Sequence, residues 1–349
     1  MKTVLIDDRV IGPGHPCFII AEAGVNHNGD PALALRMVDE AVRAGADAVK
    51  FQTYKTDQVY TAHTPKATYM LATTQSKETI VDMARKLELP FEAFKTLLAH
   101  CRKKNILFLS SPFDEESASF LASLDTGALK IPSGELTNLP YLDHVARLGL
   151  PLIVSTGMAK LGEVEEAMDR FHLAGNSDIL LFHCVSNYPA NPADANLRAM
   201  HTLAQAFGCP VGFSDHTPGI EVALAAVALG ACMIEKHFTL DKHLPGPDHQ
   251  ASLDPTELAE LVRGIRRVES ALGDGAKRPA AAEANTAEVA RKSLVAARDI
   301  PAHAVLTDAM IAVKRPGTGL PSSLRPHLLG RAVKHAMAAG TLFTLEMVQ

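Results

Sequence analysis

The apolar positions of this chain fall into short, nearly unbroken runs separated by longer amphipathic stretches. The runs cover 18–24, 48–52, 106–111, 129–133, 152–157, 179–186, 211–216 and 233–239. Their cores, such as Phe18-Ile19-Ile20 and Ile179-Leu180-Leu181-Phe182, have the composition of parallel strands buried on both faces. The stretches between them read as helices with recognisable ends. Asp30 is placed to cap a helix that starts at Pro31, shows Leu35, Val38 and Val42 on one face and stops at Gly45. Asp254-Pro255-Thr256-Glu257 is a capping box ahead of Leu258, Leu261, Val262 and Ile265. Gly149, Gly175 and Gly230 stand where further helices should end. One step nearly repeats, since 41–50 and 226–235 each read as helix end, glycine and next strand. Eight such alternations predict an α/β fold, a (β/α)8 TIM barrel. The rival is an open doubly wound sheet, which the lack of a G-x-G-x-x-G after the first strand disfavours.

After Leu272 the pattern changes. Residues 273–284 are rich in Gly and Ala and read as a linker that can be partly helical. The tail reads as short strands and turns, with strands at 293–296 and 341–345 and a Lys-Arg-Pro-Gly-Thr-Gly loop at 314–319. The expected organisation is a barrel with a short N-terminal extension over 1–272, a linker over 273–284 and a small domain over 285–349. A domain of that size is marginal alone, so it should lean on its own barrel or on a partner chain.

Composition narrows the classes. Apolar residues are 47% of 349, which excludes wholesale disorder. Thirty-four Lys and Arg against 39 Asp and Glu leave a net charge of −5; with 5% aromatics and no Trp, a general nucleic-acid surface is not expected. The longest nearly apolar run, 222–234, falls short of the ~20 residues of a membrane span. Asp7 and Asp8 come too early for a secretory apolar segment, so a cytoplasmic location is expected. Five scattered cysteines without a C-x-x-C pair read as reduced packing thiols.

In such barrels chemistry sits at the C-terminal ends of the strands. Here those ends carry Glu22; Lys50 and Gln52; Ser110 and Ser111; Lys130 and Ser133; Ser155 and Thr156; His183, Ser186, Asn187 and Tyr188; Ser214, Asp215 and His216; and Glu235, Lys236 and His237. Lys50 and Lys130 among Ser133, Ser155 and Ser214 can hold a phosphate, by ammonium charge and short hydroxyl donors. The same lysines could instead be ion-paired to Glu22 or Glu235, or one could form a Schiff base. His216 and His237, on neighbouring strands, can grip one divalent ion and leave positions for substrate and water, or be structural. Glu22, Asp215, Glu235 and Asp248 are candidate acid/base or hydroxyl-holding carboxylates. Asp248 follows the rigid Leu-Pro-Gly-Pro loop 244–247 and could equally cap a turn. Asn26-His27-Asn28-Gly29 could be a plain helix-entry loop.

The segments 20–29 (IAEAGVNHNG), 49–52 (VKFQ), 111–113 (SPF), 130–135 (KIPSGE), 155–158 (STGM), 213–217 (FSDHT) and 235–239 (EKHFT), in that order, resemble the sialic acid (N-acetylneuraminate) synthase family. The tail, with VKRPG at 313–317 and GRAV at 330–333, resembles the antifreeze-like (SAF, β-clip) domain that ends those enzymes. The resemblance implies a phosphoenolpyruvate-dependent, C–C bond-forming transferase with Mn2+ or Mg2+ as cofactor. It also implies a homodimer in which the SAF domain of one chain covers the barrel of the other. Carried over by position, His216 and His237 are the metal ligands. Lys50, Ser111, Lys130, Ser133, Ser155, Ser186 and Ser214 are the phosphoenolpyruvate contacts, with Ser186 standing where some members have Asn. Gln52, Glu135, Tyr188 and Asp248 contact the sugar, and Arg315 reaches its N-acyl group across the dimer. Glu22, Glu235 and Lys50 are the catalytic set around the reacting carbons. Segment 65–69 is expected to line the sugar end.

The leading expectation is an N-acetylneuraminate synthase joining phosphoenolpyruvate, open-chain N-acetylmannosamine and water, releasing phosphate by C–O cleavage. The alternatives are a legionaminic or pseudaminic acid synthase acting on a 2,4-diacetamido-2,4,6-trideoxyhexose, a lysine Schiff-base aldolase, and a non-catalytic sugar-binding protein.

Overall fold

The computed structural model describes residues 2–74 and 78–349. An N-terminal hairpin, β1 (Val4–Ile6) and β2 (Arg9–Ile11), comes first. Eight parallel strands follow: β3 (Phe18–Gly24), β4 (Ala48–Thr53), β5 (Leu107–Pro112), β6 (Leu129–Ile131), β7 (Leu152–Ser155), β8 (Ile179–Cys184), β9 (Val211–Asp215) and β10 (Met233–His237). Their order, β5-β4-β3-β10-β9-β8-β7-β6, wraps so that β5 and β6 lie side by side. This is the TIM barrel, with helices outside. The helix Pro31–Ala44 has Asp30 as its N-cap and a left-handed Gly45 at its end, and Pro255–Leu272 opens on the Asp254–Glu257 capping box.

Strand parity sorts every barrel residue. Alternate side chains face the helices and join one large apolar layer that includes Ile19, Val49, Phe108, Leu129, Val154, Leu181, Phe213 and Ile234. The others face the barrel axis. Toward the strand N-termini these are Phe18, Ile20, Ala48, Leu109, Ala128, Ile153, Leu180, Phe182 and Met233, packed with Val4, Ile6 and Ile11 of the hairpin. The hairpin is therefore a plug in the barrel floor. Leu5 and Val10, on its other face, are exposed.

Between β4 and the helix Phe91–Lys104 the chain makes a long excursion with helices Thr56–Val59, Thr68–Thr73 and Ile80–Leu87. The excursion has its own apolar cluster, in which Ile80, Met83, Ala84 and Leu87 meet Val25 and Tyr54. Gly29 (φ 74°) allows close approach here, since a β-carbon would collide with the Lys86 carbonyl.

Asp274–Gln349 form a second compact unit. It contains the helix Ala284–Ala290 and an antiparallel pair, β11 (Ser293–Ala296) and β12 (Ile311–Lys314). Its core gathers Leu294, Ile300, Leu306, Ile311, Leu328, Val333 and Phe343. The strand expected at 341–345 is reduced to one isolated bridge, Val295 to Leu342. No helix among the described residues is long and apolar enough to cross a membrane.

Candidate active site

Above the apolar floor the axis-facing positions turn polar. Glu22, Lys50, Gln52, Ser111, Lys130, Ser133, Ser155, Ser186, Tyr188, Ser214, His216, Glu235 and His237 all line one cavity of about 610 Å³. Strand register assembles it. Glu22 sits beside Lys50 on β4 and beside His237 on β10, and Ser214 sits beside Glu235. Lys50 Nζ lies 2.7 Å from Glu22 Oε2 and 3.7 Å from Glu235 Oε2, and donates to Ser111 Oγ at 3.0 Å. Lys130 Nζ donates to Ser155 Oγ at 2.6 Å and lies 3.7 Å from Glu235 Oε1, which accepts from Ser214 Oγ at 3.0 Å.

Parity corrects the expected ring of strand-end groups. Ser110, Thr156, His183, Asp215 and Lys236 do not line this cavity. Asp215 pairs with Lys236 at 2.7 Å and accepts from Thr217 N. Ser110 bonds Thr53, Thr156 Oγ1 donates to Phe182 O, and His183 Nε2 contacts Ala195 O. Asp215 is thus a structural carboxylate. Glu135 also departs from expectation. It lies in a 3-10 turn (Ser133–Glu135), accepts from Asn138 Nδ2 at 2.7 Å and does not line the cavity. Arg315 belongs to the second unit, where its Nε donates to Ala290 O.

The two central carboxylates differ in acidity. Burial pushes Glu22 up to about 7, with Lys50 pulling the other way and Glu235 adding to the rise. Burial also opposes the charge of Glu235, but Lys130, Lys50 and the Ser214 hydroxyl outweigh it and hold that carboxyl below its ordinary range. Lys50 is held above its ordinary value because Glu22 and Glu235 outweigh its burial. Lys130 is lowered by burial. Two ammonium groups facing one firmly ionised carboxylate leave positive charge for an anion.

His216 donates from Nδ1 to Val185 O (2.6 Å), which turns a lone pair on Nε2 toward Ser214. Burial lowers His216 to about 4 and holds His237 well below its ordinary value, so both imidazoles are neutral. His237 Nδ1 is buried without a hydrogen-bond partner, and the two rings lie 5.5 Å apart. Neutral imidazoles with free lone pairs fit a divalent ion. Among the described residues no group of three or more His, Cys, Asp or Glu is gathered for one, so substrate and water would complete its shell.

A second cavity of about 730 Å³ adjoins the first and shares Gln52, Phe113, Tyr188 and His237 with it. Asp248 lines it with Tyr54, Tyr60, Tyr69, Met70, Met83 and Leu87. Burial raises Asp248 to about 6. Four of the chain's five tyrosines line this space. Tyr69 packs on Tyr188 (5.1 Å between centroids), which packs on His216 (4.2 Å). Tyr54, Tyr60 and Met83 were not anticipated from sequence; the crowding of scarce tyrosines into 54–69 was the available signal.

The NeuB family matches residues 37–277. The chain belongs to the NeuB family. It is a phosphoenolpyruvate-dependent sugar-acid synthase of the sialic acid synthase type. Residues 291–349 match the SAF domain, so the second unit contains that domain. Among NeuB relatives, the chain is 48% identical to N,N'-diacetyllegionaminic acid synthase of Campylobacter jejuni, over 90% of this chain and 94% of that protein. It is 46% identical to N,N'-diacetyllegionaminic acid synthase of Legionella pneumophila, over 97% and 96%. A solved N-acetylneuraminic acid synthetase from Leptospira borgpetersenii is 40% identical, over 82% of this chain and 95% of that one, with a TM-score of 0.73.

Proposed function

We propose that this NeuB protein is an N,N'-diacetyllegionaminic acid-type synthase. It joins phosphoenolpyruvate to an open-chain 2,4-diacetamido-2,4,6-trideoxyhexose, in place of the N-acetylmannosamine expected first. The higher identity to synthases of that name supports the change. The side cavity is the observation that carries the sugar end. Its wall of tyrosine, methionine and leucine, with Asp248 as its charged group among the described lining residues, suits acetamido methyls and a 6-methyl group better than a hydroxyl-rich or phosphorylated tail.

In this reading Lys50 and Lys130, with Ser111, Ser133, Ser155, Ser186 and Ser214, hold the phosphate and carboxylate of phosphoenolpyruvate. Gln52, Tyr188 and Asp248 hold the sugar; Glu135, outside the cavity lining, is no longer assigned there. A divalent ion, Mn2+ or Mg2+, held by His216 and His237 would supply Lewis-acid polarisation of the sugar aldehyde. The methylene carbon of phosphoenolpyruvate forms the new bond to the aldehyde carbon. Positive charge then develops at C2, where ionised Glu235 stabilises it. Water adds at C2 and Glu22, poised near 7, takes its proton. That proton is returned to the former aldehyde oxygen, which ends as a hydroxyl; phosphate then leaves by C–O cleavage with the bonding pair, while the C2 hydroxyl loses its proton and becomes the keto group. The reading includes a homodimer in which the partner subunit's Arg315 reaches the sugar's N-acyl group.

Phosphate release from phosphoenolpyruvate, measured with each sugar and with Mn2+ or chelator, tests this. Metal-dependent release with the diacetamido sugar is expected. Release with N-acetylmannosamine alone would return the chain to the N-acetylneuraminate reading. Release that survives chelator would remove the metal, and borohydride trapping on Lys50 or Lys130 would favour the aldolase.

A further inference from the structure

On the Lys130 side of the deep cavity the wall is built from short side chains, Ser133, Cys184 and Ser186. They converge on a buried residue with no side chain, Gly157. Its N–H donates to Ser133 Oγ at 3.0 Å, and Ser133 Oγ lies 3.3 Å from Cys184 Sγ. A β-carbon at 157 would collide with Ser186 Oγ and would stand 2.8 Å from Ser133 Oγ and 3.0 Å from Cys184 Sγ. Gly157 is not among the positive-φ residues, so alanine suits its backbone and the constraint is one of space. Serine and cysteine each have a single heavy-atom rotor, so relief must come from turning these groups off their present directions. Lys130 and Ser155 face the same space, 2.6 Å apart.

We propose that Gly157 is a positioning residue for the phosphate group of phosphoenolpyruvate: its missing side chain lets Ser133, Cys184 and Ser186 stand at the spacing that receives the phosphate oxygens. Gly157 itself does not line the cavity and acts through the three residues in front of it. The inference rests on the phosphoenolpyruvate reading above.

The test compares wild type, Gly157→Ala, Ser186→Ala and the double variant. The readouts are KM for phosphoenolpyruvate, KM for the sugar and inhibition by inorganic phosphate. Gly157→Ala is expected to raise the phosphoenolpyruvate KM and the phosphate inhibition constant together by about tenfold or more, with the sugar KM within about twofold. The double variant lacks the nearest of the three colliding groups but keeps Ser133 and Cys184, so against Ser186→Ala it should raise the phosphoenolpyruvate KM and the phosphate inhibition constant together, with the sugar KM spared. That comparison holds even if Gly157→Ala alone does not fold. A phosphate inhibition constant that stays put while the phosphoenolpyruvate KM rises would overturn the proposal. So would equal rises for both substrates, or a double variant in which the sugar KM rises over Ser186→Ala as much as the phosphoenolpyruvate KM does. A wild type indifferent to both phosphoenolpyruvate and phosphate would overturn the underlying reading instead.

Discussion

Glu22 and Glu235 are one residue type on neighbouring strands, yet their surroundings pull their acidities apart. If Glu22 takes the proton from water, activity should rise with pH through about 7. Glu22→Gln should erase that limb and lower kcat by roughly 10²–10⁴-fold. Glu235→Gln removes a negative charge that raises the Glu22 pKa, so it should move the limb to lower pH. A pH–rate profile separates the two, and a limb that persists in Glu22→Gln would assign it elsewhere. Asp248 gives the opposite kind of prediction. Its folded pKa, about 6, stands above the ordinary 3.8, so the native state binds more protons across that window and stability falls as pH rises through it. That difference corresponds to about 3 kcal/mol. Asp248→Asn should therefore be more stable than wild type above pH 6 by about that amount and level with it below about 4, as read by urea unfolding. The residue types of the site and their order were legible in the sequence. Their facing was not, because a strand buried on both sides carries no alternation to mark its inner face. Ser110 reads like Ser111, and Asp215 like Ser214, until the pleat is known.

At the scale of elements, two loops far apart in sequence are stapled together beside the tyrosine-lined cavity. Asn26 Nδ2 donates to Phe238 O and Ser252 Oγ, and Ser252 Oγ donates to Asp248 O. His249, fully buried, bonds Thr239 through Nδ1 and Asn28 through Nε2. Asn26-His27-Asn28-Gly29 is thus more than a helix entry: it anchors the loop that presents Asp248. His249→Ala should raise the sugar KM by roughly tenfold or more while the phosphoenolpyruvate KM stays within about twofold. Steady-state kinetics decides, and parallel rises would make the staple a general prop. The motif was visible in the sequence, but its partners lie more than two hundred residues away, beyond the reach of local pattern. The floor hairpin went unread for a different reason, its three-residue strands being too short for periodicity to register. Its Ile6 is fully buried, so Ile6→Ala should cost about 2–5 kcal/mol in denaturant unfolding and leave both KM values in place.

At the scale of the molecule, all eight barrel strands lie where the apolar runs predict them, although five of the runs overreach the strand ends. The run 129–133 stops at Ile131 and 179–186 at Cys184, because polar residues that continue an extended pattern turn into the loops that form the site. The SAF domain has an apolar core of its own. Arg315→Ala in the full chain should raise the sugar KM by about tenfold or more and spare phosphoenolpyruvate; equal effects would detach Arg315 from the sugar. The reach across a dimer proposed for it could not come from periodicity, since a single chain's pattern says nothing about its copies.

The plugged floor has a kinetic consequence. A barrel sealed at one end is a sack with one mouth, and the lysine-lined chamber lies deeper in it than the tyrosine-lined one. The two chambers share Gln52, Phe113, Tyr188 and His237, so what fills one stands against the other. With the substrates placed as proposed above, sugar bound first would crowd the lysine-lined chamber, so excess sugar is expected to slow its own reaction in steady-state kinetics.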